Sequence, residues 1–313
     1  MAQFQKPVLV TGAAGCIGAW VVAALHRDGN PVVVYDLSDD RRRLQLLLDD
    51  AEAAQVPWHR GDVADPEALD TVVAANDVGA IIHLAALQVP FCKADPLAGA
   101  RANVVGYVNV LEAARRYNIK HFVYTSSIAA MPAAGARSPS TIYGAYKAAD
   151  EAVAQVYWQD WSVPSIGLRP HTVYGLGRDQ GLTSAPTKAM LAAVAGQPHD
   201  IPFTGQIQFQ YAGDVAAVII GAAAAMVEGA PVYDIGGAPV AIDDIIAAIR
   251  RVAPVASVTA TGDALPFPPD RDNGPLRALL GDLPETPLDD GVAATMTAFR
   301  DLLARGLVAP DPA

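Results

Sequence analysis

The sequence predicts an α/β fold, a doubly wound parallel sheet, and three observations predict it. Short aliphatic runs such as PVLV and PVVVY alternate with longer helix-forming stretches, the order that builds parallel strands covered by helices. A glycine-rich turn, TGAAGCIG at 11–18, joins the first such run to the first apolar helix. The second run ends in an acid, Asp36, twenty-four residues beyond Gly12.

Composition narrows the class further. At 313 residues the chain has room for one large domain or two lobes, and 52% hydrophobic against 18% charged residues suits a packed core rather than disorder. Its 33 acidic and 22 basic residues, a net charge of −11, argue against nucleic acid or an anionic membrane surface as partner. The two cysteines, Cys16 and Cys92, have no metal-ligand spacing and form no disulfide framework, as expected of a protein in a reducing cytoplasm. The N-terminus runs straight into a strand without the apolar core of a signal peptide. The longest uncharged apolar run, 215–227, holds 13 residues, too few to cross a bilayer, and reads as a buried helix. A soluble cytoplasmic protein is expected.

Taken in order, residues 7–36 form strand, turn, helix and strand. Gly12, Gly15 and Gly18 permit a tight turn, close approach of a pyrophosphate to backbone N–H groups, and close helix–strand packing, with Cys16 and Ile17 in the same turn. Asp36 at its strand end can accept both ribose hydroxyls of NAD and would repel the 2′-phosphate of NADP. Arg41, Arg42 and Arg43 follow and read as a solvated helix start.

A third strand ends at Asp62 and Val63, beside the expected adenine. A fourth, 79–86, brings Leu84, Ala85 and Ala86 against the cofactor, with His83 as a core or strand-end residue. The stretch 87–96 reads as a loop and 101–118 as a helix. A fifth strand, HFVYTSS, ends in the hydroxyls of Thr125, Ser126 and Ser127, and 163–175 reads as the sixth. Beyond it come a helix ended by Gly196, a strand pair over 199–211, the buried helix, a last strand at 231–237 and two amphipathic helices.

Tyr143 and Lys147 lie four apart at the start of a helix-forming run, hence on one helix face. A phenol ionises near pH 10, and a neighbouring ammonium favours the phenolate. With a strand-end hydroxyl such as Ser127, the three groups make a proton-transfer device.

In this order, TGAAGCIG, the strand-end Asp36, GDV, HLAA, NVVGYVNVLEAAR, YTSS, YGAYK and RPHTVYGLGR resemble the extended short-chain dehydrogenases/reductases, the NAD-dependent epimerase/dehydratase family. The resemblance is strong over about 7–237. It implies a Rossmann NAD-binding domain over 1–174, completed by 212–237, and a substrate-binding lobe over 175–211 and 238–313. By position it implies catalytic roles for Tyr143, Lys147 and Ser127. Lys147 would also hold the nicotinamide ribose, Thr125 would back the cofactor, and Pro170 would flank the nicotinamide. Asn103 matches a helix Asn that helps hold the site together beside the cofactor. A homodimer through the helices after strands four and five is also implied.

Four departures from the family pattern bear on the reaction. Ile128 and Ala129 stand where dehydratases and decarboxylases carry acids. Thr172 replaces an Asn that touches a nucleotide-sugar diphosphate, and Ile207 replaces an Arg that holds its phosphates. Met131-Pro132 replaces a Tyr-Gly. The expectation is therefore an NAD-dependent dehydrogenase acting on a free sugar, sugar acid or polyol. Gln88, Ser127, His171, Thr172, Arg178 and Thr183 are its candidate substrate contacts, and no metal is implied. Sugar epimerisation by the same trio is the alternative, and a non-enzymatic NAD sensor the third.

Overall fold

The computed structural model describes residues 2–133, 135–268 and 270–310. Twelve strands run in chain order: β1 Val8–Thr11, β2 Val32–Asp36, β3 Trp58–Arg60, β4 Ala80–His83, β5 His121–Thr125, β6 Ile166–Arg169, β7 Thr172–Tyr174, β8 His199–Ile201, β9 Gln206–Tyr211, β10 Val232–Asp234, β11 Pro239–Ala241 and β12 Val258–Ala260. Seven of them form one parallel sheet in the order β10-β6-β5-β4-β1-β2-β3. The order reverses between β1 and β4, where Thr11 lies in register with His83, and ligands bind in the crevice at such a switch point.

Alternate side chains of these strands enter two separate cores, as the period of a strand requires. Val8, Val10, Val32, Val34, Ala80 and Ile82 pack beneath helices Cys16–Arg27 and Ala212–Ala224. Leu9, Val33, Ile81 and Phe122 pack on the other face with Leu69, Val110 and Leu111. The 215–227 run is buried helix as far as Ala224, where the helix ends, and Met226 beyond it is exposed; no helix among the described residues is long and apolar enough to cross a membrane.

A third core belongs to the lobe beyond the sheet, where Tyr174, Met190, Ile207, Ile245, Ile249 and Phe299 meet. The expected sixth strand is two. Buried Pro170 breaks it after Arg169, and β7 leaves the main sheet to pair in parallel with β9. The expected strand pair over 199–211 is also replaced. Gly205, with φ +82°, separates β8 from β9; β8 pairs with β12, and β9 pairs with β7 and β11. The 87–96 loop is instead largely helical, as Val89–Ala94 and Pro96–Ala100, and the next helix begins with a π-helical turn, Arg101–Val105.

Candidate active site and cofactor cradle

The glycine-rich turn is as tight as its spacing requires. A Cβ on Gly12, at φ +74°, would lie 2.5 Å from the Ala85 nitrogen, and one on Gly18 would lie 2.3 Å from the Gly12 carbonyl oxygen. Side chains are therefore excluded where β1, β4 and the first helix converge. That helix, Cys16–Arg27, has no side-chain cap at Gly15, so its first-turn N–H groups remain available to an anion. The arrangement fits NAD: an N–H cradle for a pyrophosphate, half-buried Leu84, Ala85 and Ala86 on one wall, and Asp36 at the end of β2.

Asp36 is buried, and its carboxylate accepts from Ala14 N and Ser38 N, each at 2.9 Å. Burial raises its pKa, with those two N–H bonds pulling it back. Asp62 is exposed and turns its carboxylate to Ala64 N, whereas Val63 is buried against Gly106. Arg43 departs from the solvated reading. Its guanidinium donates to Ala14 O at 2.6 Å and Gly177 O at 3.1 Å and pairs with Asp179 at 2.7 Å. Arg42, by contrast, is exposed and pairs with Asp40.

On the other side of the switch point, Thr11 Oγ1 accepts from Leu84 N and Ala85 N. His83 Nδ1 lies 2.8 Å from the same hydroxyl, and its Nε2 is buried without a hydrogen-bond partner among the described residues. Burial, then the nearby Lys147 charge, pushes the His83 pKa down to about 3, so the ring is neutral and structural.

The catalytic candidates come from β5 and the helix Ile142–Trp161. Ser127 is half-buried and caps the turn Ile128–Ala130, its Oγ accepting from Ala129 N at 3.1 Å. That turn seats on the start of the helix so closely that a Cβ on Gly144 would lie 2.1 Å from Ala129 O. The helix is capped by Thr141, whose hydroxyl accepts from Gly144 N, and it leaves Tyr143 half-buried. One turn on, Lys147 is buried and donates to Thr125 O at 2.8 Å, tying the Tyr143 helix to the end of β5.

Other expected residues take more specific places. Asn103 is fully buried in the π-helical turn and both accepts from Leu87 N, at 2.7 Å, and donates to Leu87 O, at 3.0 Å. Its side chain thereby holds the segment after β4. Pro170 accepts from Ile128 N through its carbonyl. Thr172 is buried, with its hydroxyl 3.2 Å from His171 Nδ1. His171 donates its backbone N–H to Gln210 Oε1 and faces Phe267 edge-on, and its Nε2 is buried without a hydrogen-bond partner among the described residues. Burial pushes its pKa down to about 4. Arg178 donates to Thr183 Oγ1 at 2.7 Å, while Gln88 precedes a helix as its N-terminal neighbour.

Two acids escaped the sequence reading. Asp150, one turn past Lys147, is buried with its carboxylate 3.5 Å from the ammonium and no hydrogen bond on either oxygen. Desolvation raises its pKa to about 7 against the pull of Lys147. Glu151 accepts from Ser126 Oγ at 2.5 Å and from Arg169 at 2.7 and 2.5 Å. Arg169 also lies 3.7 Å from Asp234, which binds Arg271 of the outer lobe at 2.5 Å. Their i+3 and i+4 spacing from Lys147 was the available signal. Among the described residues no group of His, Cys, Asp and Glu could hold a metal.

The family model described as the NAD dependent epimerase/dehydratase family matches residues 8–236. An Escherichia coli O111:H- protein, described as an uncharacterized 37.6 kDa protein in the cld 5′ region, is 32% identical over 94% of this chain and 98% of its own length. The Thermus thermophilus UDP-glucose 4-epimerase, solved in complex with NAD, superposes with a TM-score of 0.79 at 26% identity, covering 94% of this chain and 99% of that one. A Cupriavidus necator L-threonine dehydrogenase shares the fold, with a TM-score of 0.80 at 23% identity over 93% and 99% of the two chains. With a glycine turn, Asp36 and the Tyr143–Lys147 pair at the switch point of a seven-stranded sheet, the chain belongs to the NAD-dependent epimerase/dehydratase family, as an enzyme of the extended short-chain dehydrogenase/reductase type that uses NAD.

Proposed function

We propose that the chain oxidises a secondary alcohol or hemiacetal carbon of a free sugar, sugar acid or polyol, with NAD as hydride acceptor. The observation that carries this reading is the hydrogen bond from Lys147 to Thr125 O, which ties the helix bearing Tyr143 to the end of β5, two residues before Ser127. NAD, when bound, supplies the site that receives the hydride. Tyr143 takes the hydroxyl proton, Lys147 holds the Tyr143 helix against the end of β5, and Ser127 hydrogen-bonds the reacting oxygen.

Two uncharged positions support the substrate class. Ile207, at the position of the phosphate-holding Arg, is fully buried in the outer core. His171, kept neutral by burial, suits a hydroxyl better than a carboxylate. Thr172 is buried beside it, with its hydroxyl against the ring. A screen of free sugars, uronic acids and polyols with NAD, followed at the NADH absorbance, tests the reading. Steady NADH accumulation with one class supports it.

Epimerisation is the second reading, favoured by the likeness to the Thermus thermophilus UDP-glucose 4-epimerase. Epimer formation without NADH accumulation would establish it in place of the first. A non-catalytic NAD sensor would need neither Tyr143 nor Lys147, and both are present.

A homodimer is part of the proposal. The helices Gly106–Arg116 and Ile142–Trp161 share an apolar outer face of Val108, Ala152, Val153, Val156, Tyr157 and Trp161, with Trp161 49% exposed. Light scattering at a dimer mass, lost on Val156→Glu, checks it. The two free thiols fit the reducing cytoplasm that the composition suggests.

A further inference from the structure

The segment after β7 crosses from the outer lobe back to the glycine-rich turn. Gly175, Gly177 and Gly181 all take positive φ, which lets the chain fold sharply there. The segment is fastened to the first helix at several points. Cys16 Sγ and Trp20 Nε1 both donate to Leu176 O, at 3.6 and 3.0 Å, and Arg43 ties Gly177 O to Ala14 O. Gly15, Cys16, Arg43, Gln88, Arg178 and Asp179 consequently line one small cavity.

Charge within that cavity is unevenly spent. Asp179 is turned to Arg43 at 2.7 Å, so these two neutralise each other. Arg178 keeps its charge facing the cavity. Among the described residues only its Nη2 is engaged, by the Thr183 hydroxyl, and its Nε is buried with no hydrogen-bond partner. A buried guanidinium N–H left without an acceptor is costly unless a ligand supplies one. The nearest anion-seeking partner is the uncapped first turn of the helix Cys16–Arg27, whose N–H groups line the same space through Gly15 and Cys16. A group that satisfies both must carry several anionic oxygens.

We infer that Arg178 is a cofactor-binding residue, closing over the NAD pyrophosphate from the outer lobe, and not a reader of the substrate. Thr183 orients its guanidinium, and Arg43 is the strut that holds its loop against Ala14. The inference rests on the NAD cradle lying at the glycine-rich turn. The Cys16 thiol reports the same crowding: burial pushes it up to about 11, with Arg178, then Arg43, pulling it down.

The test needs no substrate. Dissociation constants for NAD, ADP-ribose and adenosine are measured by calorimetry on the full chain and on Arg178→Gln and Arg178→Lys. Loss of one charge-assisted contact weakens NAD and ADP-ribose alike, by about tenfold to a hundredfold in Arg178→Gln. Adenosine, which lacks the pyrophosphate, binds unchanged, and Arg178→Lys lies between because it keeps the charge without the planar fork. The salt dependence of NAD binding also becomes shallower in Arg178→Gln. Wild-type NAD affinity in Arg178→Gln overturns the inference and returns Arg178 to the substrate. So does an equal loss for adenosine, which reports a damaged fold. Failure of the wild-type chain to bind NAD would overturn the cradle itself, a result distinct from either.

Discussion

The carboxylate of Asp150 lies 3.5 Å from the ammonium of Lys147, and at 1% and 3% side-chain exposure neither has access to bulk water. Lys147 is also bound to Thr125 O, but Asp150 has no hydrogen bond of its own. Tyr107 and Tyr124 pack nearby on the other elements, each raised in pKa mainly by burial and partly by the Asp150 charge. Glu151 adjoins it along the helix and raises it further, and His83 faces Lys147 from β4.

This pair predicts an unusual pH dependence of stability. The Asp150 carboxyl has a folded pKa of about 7, above the ordinary carboxylate value, so the folded state holds this proton more tightly than the unfolded state. The resulting contribution is complete below about pH 4 and lost as pH rises through about 7. Urea midpoints at pH 5 and pH 8 should therefore differ more in the wild-type chain than in Asp150→Asn. An equal pH dependence in both proteins would contradict the assignment.

Removing the phenol should separate chemistry from binding. Tyr143→Phe is expected to lower turnover by about a hundredfold or more on any substrate the screen identifies, with NAD affinity little changed. Full turnover in this variant would refute the role given to Tyr143.

Cofactor choice should follow Asp36. Asp36→Ser removes the charge that repels a 2′-phosphate, so the ratio of NADP to NAD affinity should rise by roughly tenfold or more, read by calorimetry with each nucleotide. Arg43 contributes to this gain through its charge near Asp36.

Two changes test the frame beneath the site. Gly144→Ala would drive a methyl into Ala129 O, 2.1 Å away, and should cost about 1–3 kcal/mol in denaturant unfolding and loosen the Ser127 turn. Glu151→Gln leaves Arg169 without its bidentate partner at 15% exposure, and should cost about 3 kcal/mol, near the lower range for breaking a buried pair.

Much of this was legible in the chain because the signals were local. Gly12, Gly15, Gly18 and Asp36 constrain backbone within one strand–turn–helix unit, and Tyr143 and Lys147 need only one helix to share a face. The helices at 89–100 carried signals that were passed over: Pro90 and Pro96 near helix starts, the second preceded by Asp95, whose side chain accepts from Ala98 N. What sequence could not show depends on partners far along the chain. β7 and β9 meet through a break at Pro170, and β8 finds β12 some sixty residues on. Arg43 reads as a solvated charge until residues 177–179 are folded against it. Asp150 gives no sign of burial in sequence, because the groups beside it, Tyr107 and Tyr124, come from the helix Gly106–Arg116 and β5.

The two N–H groups that grip Asp36, from Ala14 and Ser38, are backbone groups of the fold itself and hold its carboxylate in one orientation. Each oxygen still has a lone pair beyond the one engaged. The rotamer freedom that a strand-end Asp would surrender on meeting a ribose has thus already been given up when the chain folds. Ribose recognition at this position should proceed with a small entropic penalty, and the Asp36 contribution to affinity should be correspondingly enthalpic.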